Sequence, residues 1–349
     1  MKAIITGVGG FIGSNLAYYL LTNGWDVVGI DNLSRVGSAH NVTRLRDRHR
    51  TPGASLFDFW GVSVTSDIHR IFKRHGRGVD AVFHLAGQVA VTKSIENPRL
   101  DFESNVLGTF NVLEAVRKHK MDAVVVYAST NKVYGTLCCT PGLADVNAPI
   151  SEEFPLDFHS PYGCSKGAAD QYVVDYARIY GMRTVVMRQS CIYGPWQYGI
   201  EDQGWVAWFT IAAMLGKEIT IYGDGSQVRD VLWVEDLIEA YARAVARMGP
   251  NLLPYPNPVT PGSVYNIGGG PENTISLLDL VTLLESILGH NIPIRFARPR
   301  PGDQKVYVSD IRKASRELGW KPKVGVKEGV ERLVKWVEGN IDHLRRMVG

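Results

Sequence analysis

The stretch Thr6-Gly7-Val8-Gly9-Gly10-Phe11-Ile12-Gly13 decides the fold of this chain. It joins an apolar β-branched run, residues 3–6, to an amphipathic run, residues 12–22, so the pattern predicts a strand that turns directly into a helix. Glycine suits the sharp turn, the close approach of backbone to a pyrophosphate and the packing of helix on sheet. The spacing Gly-x-x-Gly-x-x-Gly is a variant of the Gly-x-Gly-x-x-Gly fingerprint. Its strand and helix context favours a dinucleotide-binding turn over an ordinary glycine-rich turn.

An acidic residue, Asp31, closes the second predicted strand, residues 26–31. A carboxylate there accepts hydrogen bonds from the adenosine ribose and repels a 2′-phosphate, which favours NAD over NADP. Arg35 follows shortly after, and arginine is a side chain that binds phosphate. Whether Arg35 contacts the cofactor or lies at the surface stays open, and we predict NAD.

Short β-branched runs alternate with helix-length stretches along the first half, which is typical of βαβ units and a parallel sheet. We therefore expect an α/β fold: a Rossmann doubly wound parallel sheet with a smaller, mixed α/β C-terminal substrate lobe. Residues 1–189, with 229–248 returning to them, are expected to form the NAD-binding domain. Residues 190–228 and 249–349 are expected to form the substrate lobe. The predicted strands are 3–6, 26–31, 81–85, 123–128 and 184–187, and the predicted helices are 12–22, 100–119, 161–180, 234–248, 276–288, 310–318 and 326–338.

The composition excludes several classes of protein. The chain has 349 residues, 38 Lys and Arg against 35 Asp and Glu, and a hydrophobic share of 45%. Such an apolar content excludes general disorder, and a net charge of +3 gives no support for nucleic acid or an anionic membrane as partner. The basic run 44–50 contains no aromatic residue, so we expect a solvated surface there.

The location is expected to be cytoplasmic. No apolar run approaches the roughly 18 residues that span a bilayer. The chain has 4 cysteines without a Cys-x-x-Cys pair, which indicates a reducing compartment. The N-terminus enters a strand pattern directly and shows no signal-peptide pattern.

A tyrosine and a lysine, Tyr162 and Lys166, open the predicted helix 161–180. Their spacing puts both side chains on one helix face. A nearby ammonium favours phenolate, so we expect Lys166 to lower the pKa of Tyr162 toward neutrality and make it an acid and base. Alone, the pair is a weak signal. Thr130 strengthens it, because it follows a predicted parallel strand, at the edge where open α/β sheets bind ligands.

Longer runs extend the pattern over nearly the whole chain, and together they resemble the extended short-chain dehydrogenase/reductase family of nucleotide-sugar epimerases and dehydratases. The runs are His84-Leu85-Ala86-Gly87-Gln88-Val89-Ala90, Ser129-Thr130-Asn131-Lys132-Val133-Tyr134-Gly135, residues 156–172, Asp202-Gln203-Gly204-Trp205-Val206 and Arg300-Pro301-Gly302-Asp303. The resemblance implies Thr130, Tyr162 and Lys166 as catalytic residues. It implies NAD binding by Gly7, Gly10, Phe11, Ile12, Asp31, Asn32, Ser34, Arg35, Leu85, Ala86, Gly87, Gln88, Asn105, Tyr162 and Lys166. It implies substrate binding by Gln88, Thr130, Asn131, Lys132, Gln189, Ser190, Gln203, Gly204, Arg229, Arg300 and Asp303, with Asp230 beside Arg229.

Within the family, the resemblance implies NAD-dependent inversion at C2 of a CDP-linked hexose, either a 3,6-dideoxyhexose or CDP-glucose, for lipopolysaccharide O-antigen synthesis. Related 4,6-dehydratases carry Asp-Glu where this chain has Asn131-Lys132, so dehydration is disfavoured. A UDP-sugar 4-epimerase and a non-catalytic NAD-binding regulator stay open as alternatives. The resemblance also implies a homo-oligomer, a dimer or tetramer. The scattered histidines and cysteines give no support for a metal site.

Some positions depart from the family pattern or have no settled role. Where many relatives carry Gly-Asp-[Ile/Val] to meet the adenine, this chain places the contact near Ser63 or Asp67. Cys191 and Trp196 stand where relatives often carry Asn and Arg, which we expect to reshape the sugar pocket. His159 is expected either in the pocket or in a structural hydrogen bond.

Overall fold

The computed structural model describes residues 1–49, 54–137, 148–248, 259–300 and 304–348. The strands in these ranges are β1 (Lys2–Thr6), β2 (Asp26–Ile30), β3 (Phe57–Trp60), β4 (Ala81–His84), β5 (Val124–Thr130), β6 (Thr184–Gln189), β7 (Ile192–Tyr193), β8 (Ile219–Tyr222), β9 (Val228–Asp230), β10 (Leu232–Trp233), β11 (Ser263–Ile267), β12 (Thr274–Ser276), β13 (Ile294–Ala297) and β14 (Val306–Tyr307). The α-helices are α1 (Phe11–Thr22), α2 (Ser38–Arg48), α3 (His69–His75), α4 (Val91–Glu96), α5 (Pro98–Phe102), α6 (Gly108–Lys118), α7 (Ser160–Tyr180), α8 (Trp205–Met214), α9 (Val234–Met248), α10 (Leu277–Leu288), α11 (Arg312–Leu318), α12 (Val326–Glu338) and α13 (Ile341–Val348).

The large sheet has seven parallel strands in the order β11-β6-β5-β4-β1-β2-β3. Its strands 3-2-1-4-5-6 follow the order of doubly wound dinucleotide-binding sheets, in which the ligand crevice lies where the order reverses. Here that point lies between the carboxyl ends of β1 and β4. The predicted α/β fold class is confirmed.

Alternate residues of the central strands enter opposite core layers, as the period of two of a strand requires. Ala3 and Ile5 of β1 pack in a layer that contains Leu16 of α1. Ile4 packs in the opposite layer with Phe72 of α3. Helices α1, α2, α9 and α11 thus cover one face of the sheet, and α3, α6 and α7 cover the other.

The helix predicted over 100–119 is interrupted in the structure. A π-helical turn, Glu103–Leu107, lies between α5 and α6. Asn97 begins this region, because its side chain accepts a hydrogen bond from the Leu100 N–H at 3.0 Å. Such turns insert an extra residue into a helix and occur frequently at functional sites.

The second lobe has its own apolar core between α8, α10 and α12, with Phe209, Leu284 and Leu333 among its buried members. Three small sheets support it: β12-β9-β14, β13-β8 and β10-β7. The structure differs from the expected boundaries in this half. Strand β11 pairs with β6 in the large sheet, and Leu318 of α11 packs in the layer under that sheet, although both fall within the expected lobe.

The expectation that the basic run 44–50 is a solvated surface is wrong for Arg44. Its guanidinium lies over the ring of Trp196, and all three of its nitrogens are buried. Burial lowers the pKa of Arg44 to about 9. The aromatic partner is distant in sequence, so the composition of the run itself did not reveal it. Arg50 lies outside the described residues.

No helix in the described ranges combines the length and the apolar character that crossing a membrane requires.

Candidate active site

The glycine-rich turn joins β1 to α1 at the carboxyl edge of the sheet. Gly7 has φ +75°, and a Cβ on it would lie 2.7 Å from the Ala86 nitrogen. A Cβ on Gly13 would overlap the carbonyl oxygen of Gly7. Gly10 precedes α1, and no side chain caps the N–H groups of that first turn, which begins with Phe11 and Ile12. An uncapped helix N-terminus with glycine on its approach is suited to bind an anion such as a pyrophosphate.

Asp31 lies directly beside this turn. Its carboxylate accepts hydrogen bonds from the Gly9 N–H at 2.9 Å and from the Leu33 N–H at 2.7 Å, one on each oxygen. Burial raises the pKa of Asp31, while these hydrogen bonds oppose the rise. Each carboxylate oxygen can accept a further hydrogen bond, so the group fits a pair of ribose hydroxyls.

Of the residues after Asp31, three predicted cofactor contacts are exposed: Asn32, Ser34 and Arg35. The Asn32 side chain accepts a hydrogen bond from the Ser34 N–H at 3.1 Å, which shapes a local turn. Arg35 donates a hydrogen bond to the side chain of Gln203, in the segment that precedes α8. A residue expected to bind cofactor therefore touches a residue expected to bind substrate.

His84 ends β4 and is fully enclosed. Its Nε2 lies 2.9 Å from the Thr109 hydroxyl, which itself donates to the Asn105 carbonyl at 2.6 Å. Nε2 therefore carries the proton, and Nδ1 accepts from the Thr6 hydroxyl at 2.7 Å. Burial and the nearby Lys166 lower the pKa of His84 to about 3, so the ring stays neutral. The neutral ring orders the strand ends through its two hydroxyl contacts.

The loop after β4 is held by Asn105. Its side-chain oxygen accepts the Gln88 N–H at 2.9 Å, and a Cβ on Gly87 would lie 2.6 Å from the same oxygen. The Leu85 and Ala86 N–H groups donate to the main chain and side chain of Thr6. Asn105 is 1% exposed, so it is not a helix-surface amide. The structure thus brings these predicted cofactor residues to the crevice.

Tyr162, Thr130 and Lys166 converge where β5 meets α7. The Thr130 hydroxyl acts on the Tyr162 phenol by lowering its pKa, and the Lys166 ammonium donates to the Ala128 carbonyl at 2.6 Å. Lys166 also lies 4.3 Å from the centre of the Tyr127 ring. Burial lowers the pKa of Lys166 to about 7, although Asp170 and Asp101 oppose that change. A buried lysine whose pKa is lowered toward neutrality, on the same helix as a buried phenol, is typical of a site for proton transfer.

The expected effect of Lys166 on Tyr162 differs from the structure. Burial raises the pKa of Tyr162 to about 12, and the Thr130 hydrogen bond only partly opposes this. The physical reason is the desolvation of the phenolate, which the sequence argument did not include, together with the engagement of Lys166 at Ala128.

Asn131 and Lys132 follow Thr130 in a 3₁₀ turn, Asn131–Tyr134, beside the catalytic candidates. The Thr130 oxygen accepts the Lys132 N–H at 3.3 Å. Two other substrate candidates have side chains bound in the interior. The Gln189 amide donates to the Tyr241 hydroxyl, and the Ser190 hydroxyl donates to Asp230 at 2.6 Å.

The expectation that Asp230 holds the nucleotide is wrong. Its carboxylate is 0% exposed and accepts hydrogen bonds from Ser190 and from the N–H groups of Gly270 and Ser309. Its neighbour Arg229 is 7% exposed, and its guanidinium donates to main-chain carbonyls, including that of Val228 at 2.8 Å.

The remaining substrate candidates lie in the second lobe. Gly204 has φ +74° and begins α8. Arg300 lies over the Tyr222 ring at 3.8 Å and forms an ion pair with Asp202 at 3.6 Å. Asp303 lies outside the described residues. His159 pairs with Asp157 at 2.9 Å.

Two departures from the family pattern lie beside this lobe and have unusual backbone conformations. Cys191 has φ +38° and Trp196 has φ +66°. Burial raises the pKa of Cys191, and the charges of Arg229 and Lys132 oppose that rise. Cys191 therefore lies near two of the predicted substrate residues.

Sequence reasoning missed three buried charged residues around the catalytic candidates. Arg188 pairs with Asp170 through two hydrogen bonds of 3.0 Å, and Asp170 also accepts the Ser129 hydroxyl at 2.7 Å. Asp101, at 0% exposure, accepts the Ser165 hydroxyl at 2.5 Å. Spacing along the helices could have indicated both carboxylates. Asp101 lies one helical turn before Asn105, and Asp170 lies one turn after Lys166, so each shares a helix face with a residue already assigned to the site.

Comparison with known proteins gives concordant results. The family model described as GDP-mannose 4,6 dehydratase matches residues 4–333. CDP-paratose 2-epimerase of Salmonella typhi is 44% identical, over 96% of this chain and 99% of its own. UDP-glucose 4-epimerase of Thermotoga maritima, solved with UDP-glucose, superposes with a TM-score of 0.83 at 32% identity, over 98% of this chain and 100% of its own. The same enzyme of Thermus thermophilus, solved with NAD, gives a TM-score of 0.80 at 32% identity, over 97% of this chain and 99% of its own.

These matches extend over the sheet, the glycine-rich turn, the Thr130–Tyr162–Lys166 cluster and the second lobe. The chain belongs to the NAD-dependent epimerase/dehydratase family of extended short-chain dehydrogenases/reductases.

Proposed function

We propose that this protein is an NAD-dependent epimerase that inverts C2 of a CDP-linked hexose of the CDP-paratose or CDP-tyvelose type, with CDP-glucose as a further candidate. The observation that carries the catalytic part is the cluster of Tyr162, Thr130 and Lys166 at the carboxyl edge of the sheet. The CDP-paratose 2-epimerase at 44% identity supports the sugar nucleotide and the carbon.

The turn between β1 and α1 fits NAD. Gly7 and Gly13 leave no room for a side chain, the α1 N-terminus has no side-chain cap, and Asp31 keeps acceptor capacity for ribose. The pyrophosphate would lie at Gly10 and the first turn of α1. When bound, NAD supplies an acceptor and donor for the hydrogen at the sugar carbon.

The chain's own residues then move and hold protons. The Tyr162 phenolic oxygen removes the proton of the sugar hydroxyl and returns it after the ketosugar has turned. Thr130 would position the sugar oxygen that Tyr162 deprotonates. With NAD bound, the Lys166 ammonium would hold the nicotinamide ribose. Asn131 and Lys132 supply no carboxyl group, so these positions offer no acid and base for eliminating water.

The test is proton NMR of the protein with CDP-paratose, CDP-glucose or UDP-glucose in deuterated water, without added NAD. We expect a C2-inverted CDP-sugar whose inverted carbon keeps protium. Deuterium at that carbon would contradict internal return of the hydrogen. A 4-inverted UDP-sugar would instead establish the alternative that the UDP-glucose 4-epimerase relatives suggest.

The Tyr162→Phe variant separates catalysis from cofactor binding. We expect the rate to fall by about 10²–10⁴-fold, with NAD still retained in the absorbance spectrum. Tyr172→Phe is the matched control, because Tyr172 lies on the same helix and is 45% exposed. Equal activity of Tyr162→Phe and the control would favour a non-catalytic, NAD-binding role.

We also propose a homo-oligomer, a dimer or tetramer. Large apolar side chains on α5, α6 and α7 are exposed, with Phe102 at 56%, Phe110 at 39% and Tyr172 at 45%. Phe110 and Tyr172 are in edge contact, so they share one face. Exposed apolar side chains that share one face are suited to association with another protein surface. Light scattering tests this, and a monomer mass would contradict it.

The low cysteine content supports a cytoplasmic location. There, the proposed product would feed lipopolysaccharide O-antigen synthesis.

A further inference from the structure

Asp101 is a carboxylate buried behind the catalytic pair. It belongs to α5 and is 0% exposed. Its Oδ2 accepts the Ser165 hydroxyl at 2.5 Å, and its Oδ1 accepts the side-chain amides of Gln88 at 2.8 Å and Asn105 at 3.2 Å. These three donors are uncharged, so the burial of a carboxylate among them is costly. A carboxylate that is buried in spite of this cost is expected to have a role in its surroundings.

The hydrogen bond between Asp101 and Ser165 is directly connected to Tyr162 and Lys166. Ser165 lies between Tyr162 and Lys166 in α7, and its hydroxyl oxygen is 3.1 Å from the Tyr162 carbonyl oxygen. The Asn105 amide also donates to Ser165 at 2.9 Å. The first turn of α7 is therefore fixed to α5 through one buried hydroxyl.

The Gln88 side of the contact fixes the loop after β4. While its amide nitrogen donates to Asp101, its amide oxygen accepts the Ala90 N–H at 2.5 Å. Asp101 therefore joins two separate segments, the start of α7 and the loop that faces the cofactor crevice. The π-helical turn Glu103–Leu107 begins directly after α5, at this junction.

We propose that Asp101 is a positioning residue of the active site, which locks Ser165 of α7 to Gln88 and so holds Tyr162 and Lys166 in their places at the crevice. Its effect on turnover rests on the proposed function. Its effect on geometry and charge does not.

The charge of Asp101 acts on both Tyr162 and Lys166. It raises the pKa of Lys166 against the effect of burial, and it raises the pKa of Tyr162. The other titratable or charged groups around Lys166 are Asp170 and Tyr162 on α7, His84 on β4 and Tyr127 on β5. Of these, Asp170 raises the pKa of Lys166 more strongly than Asp101 does, although it also pairs with Arg188, whereas the hydrogen-bond donors to Asp101 are uncharged.

The test is the Asp101→Asn variant, which keeps the size of the side chain and removes its charge. The matched control is Glu103→Gln, because Glu103 lies in the same segment and its carboxylate pairs with exposed Arg99. The pKa of Lys166 is measured by trace acetylation at a series of pH values, followed by mass spectrometry of the peptide that contains it. This readout needs no turnover.

We expect Asp101→Asn to shift the titration of Lys166 to lower pH, since a neighbouring negative charge is lost. We expect Glu103→Gln to leave it unchanged. With the sugar nucleotide that the NMR experiment identifies, Asp101→Asn should lose about 10–100-fold in kcat with little change in KM, as for other outer contacts of a site. An unshifted Lys166 titration in folded Asp101→Asn would overturn the proposal.

A second variant distinguishes the positioning role of Asp101 from a folding defect of Asp101→Asn. Ser165→Ala removes the hydrogen bond and keeps the charge, so we expect the loss in kcat without the shift in the Lys166 titration. Full activity of Ser165→Ala would overturn the positioning role. If the wild-type protein turned over none of the sugar nucleotides, the proposed function would fail, while the Lys166 titration would still decide the role of Asp101.

Discussion

Replacement of Lys166 by methionine should stabilise the protein in a pH-dependent way. Lys166 is 6% exposed, and burial lowers its pKa to about 7 from the usual 10.5. Between these two values the unfolded chain binds the proton and the folded chain does not. The stability of the wild type therefore rises with pH in this window, and it carries the full cost of the buried ammonium below pH 7.

The size of the effect follows from the pKa. One unit of pKa corresponds to about 1.4 kcal/mol. Between about pH 6.5 and pH 9, the wild type should gain roughly 2–3 kcal/mol relative to Lys166→Met. The unfolding entropy of a chain of 349 residues is about 0.7 kcal/mol/K, so the advantage of the variant in Tm should shrink by about 3–4 °C. The hydrogen bond from Lys166 to Ala128 contributes to the folded-state pKa and is therefore already included in this difference.

The assay is thermal unfolding by circular dichroism at both pH values, on protein stripped of nucleotide so that NAD affinity does not contribute. Lys327→Met is the control, since Lys327 is exposed on α12. The same difference in Tm at both pH values would refute the reasoning, because the burial of a titrating ammonium would then not be the cause. A loss of activity in Lys166→Met would not bear on it.

Two other substitutions probe the crevice and the network behind it. In Gly13→Ala, a Cβ would overlap the Gly7 carbonyl oxygen, so we expect loss of NAD binding by calorimetry; Gly339→Ala, whose nearest neighbour would be 3.6 Å away, should bind NAD normally. Asp170→Asn leaves the Arg188 guanidinium, 4% exposed, without its charge partner. That should cost about 3–5 kcal/mol, and denaturant unfolding that differs little from wild type would contradict it.

The sequence predicts the cofactor side of the fold well because the information there is local. Strand β1, the glycine turn and α1 follow each other within a single stretch, and Gly7, Gly10 and Gly13 are needed for backbone reasons that sequence alone displays. The helices α9 and α12 have the predicted bounds, because each carries a regular apolar stripe.

Features that depend on distant partners were not predictable in this way. The burial of Arg44 depends on Trp196, and the role of Asp101 depends on Ser165. Strand β3 has only four residues, all of intermediate burial, and it was not among the predicted strands. The pKa of Tyr162 depends on desolvation, which spacing along a helix does not report.

The position of β11 has a consequence for biosynthesis. This strand forms one edge of the large sheet by pairing with β6, and Tyr265 and Ile267 fill the layer beneath it together with Trp320. The large sheet, whose first strand begins at Lys2, is therefore complete only after the ribosome has synthesised most of the chain. Until then the nascent polypeptide exposes the edge of β6 and an open apolar layer, which makes the growing chain a substrate for chaperones. A fragment that ends after β6 should for the same reason aggregate during synthesis.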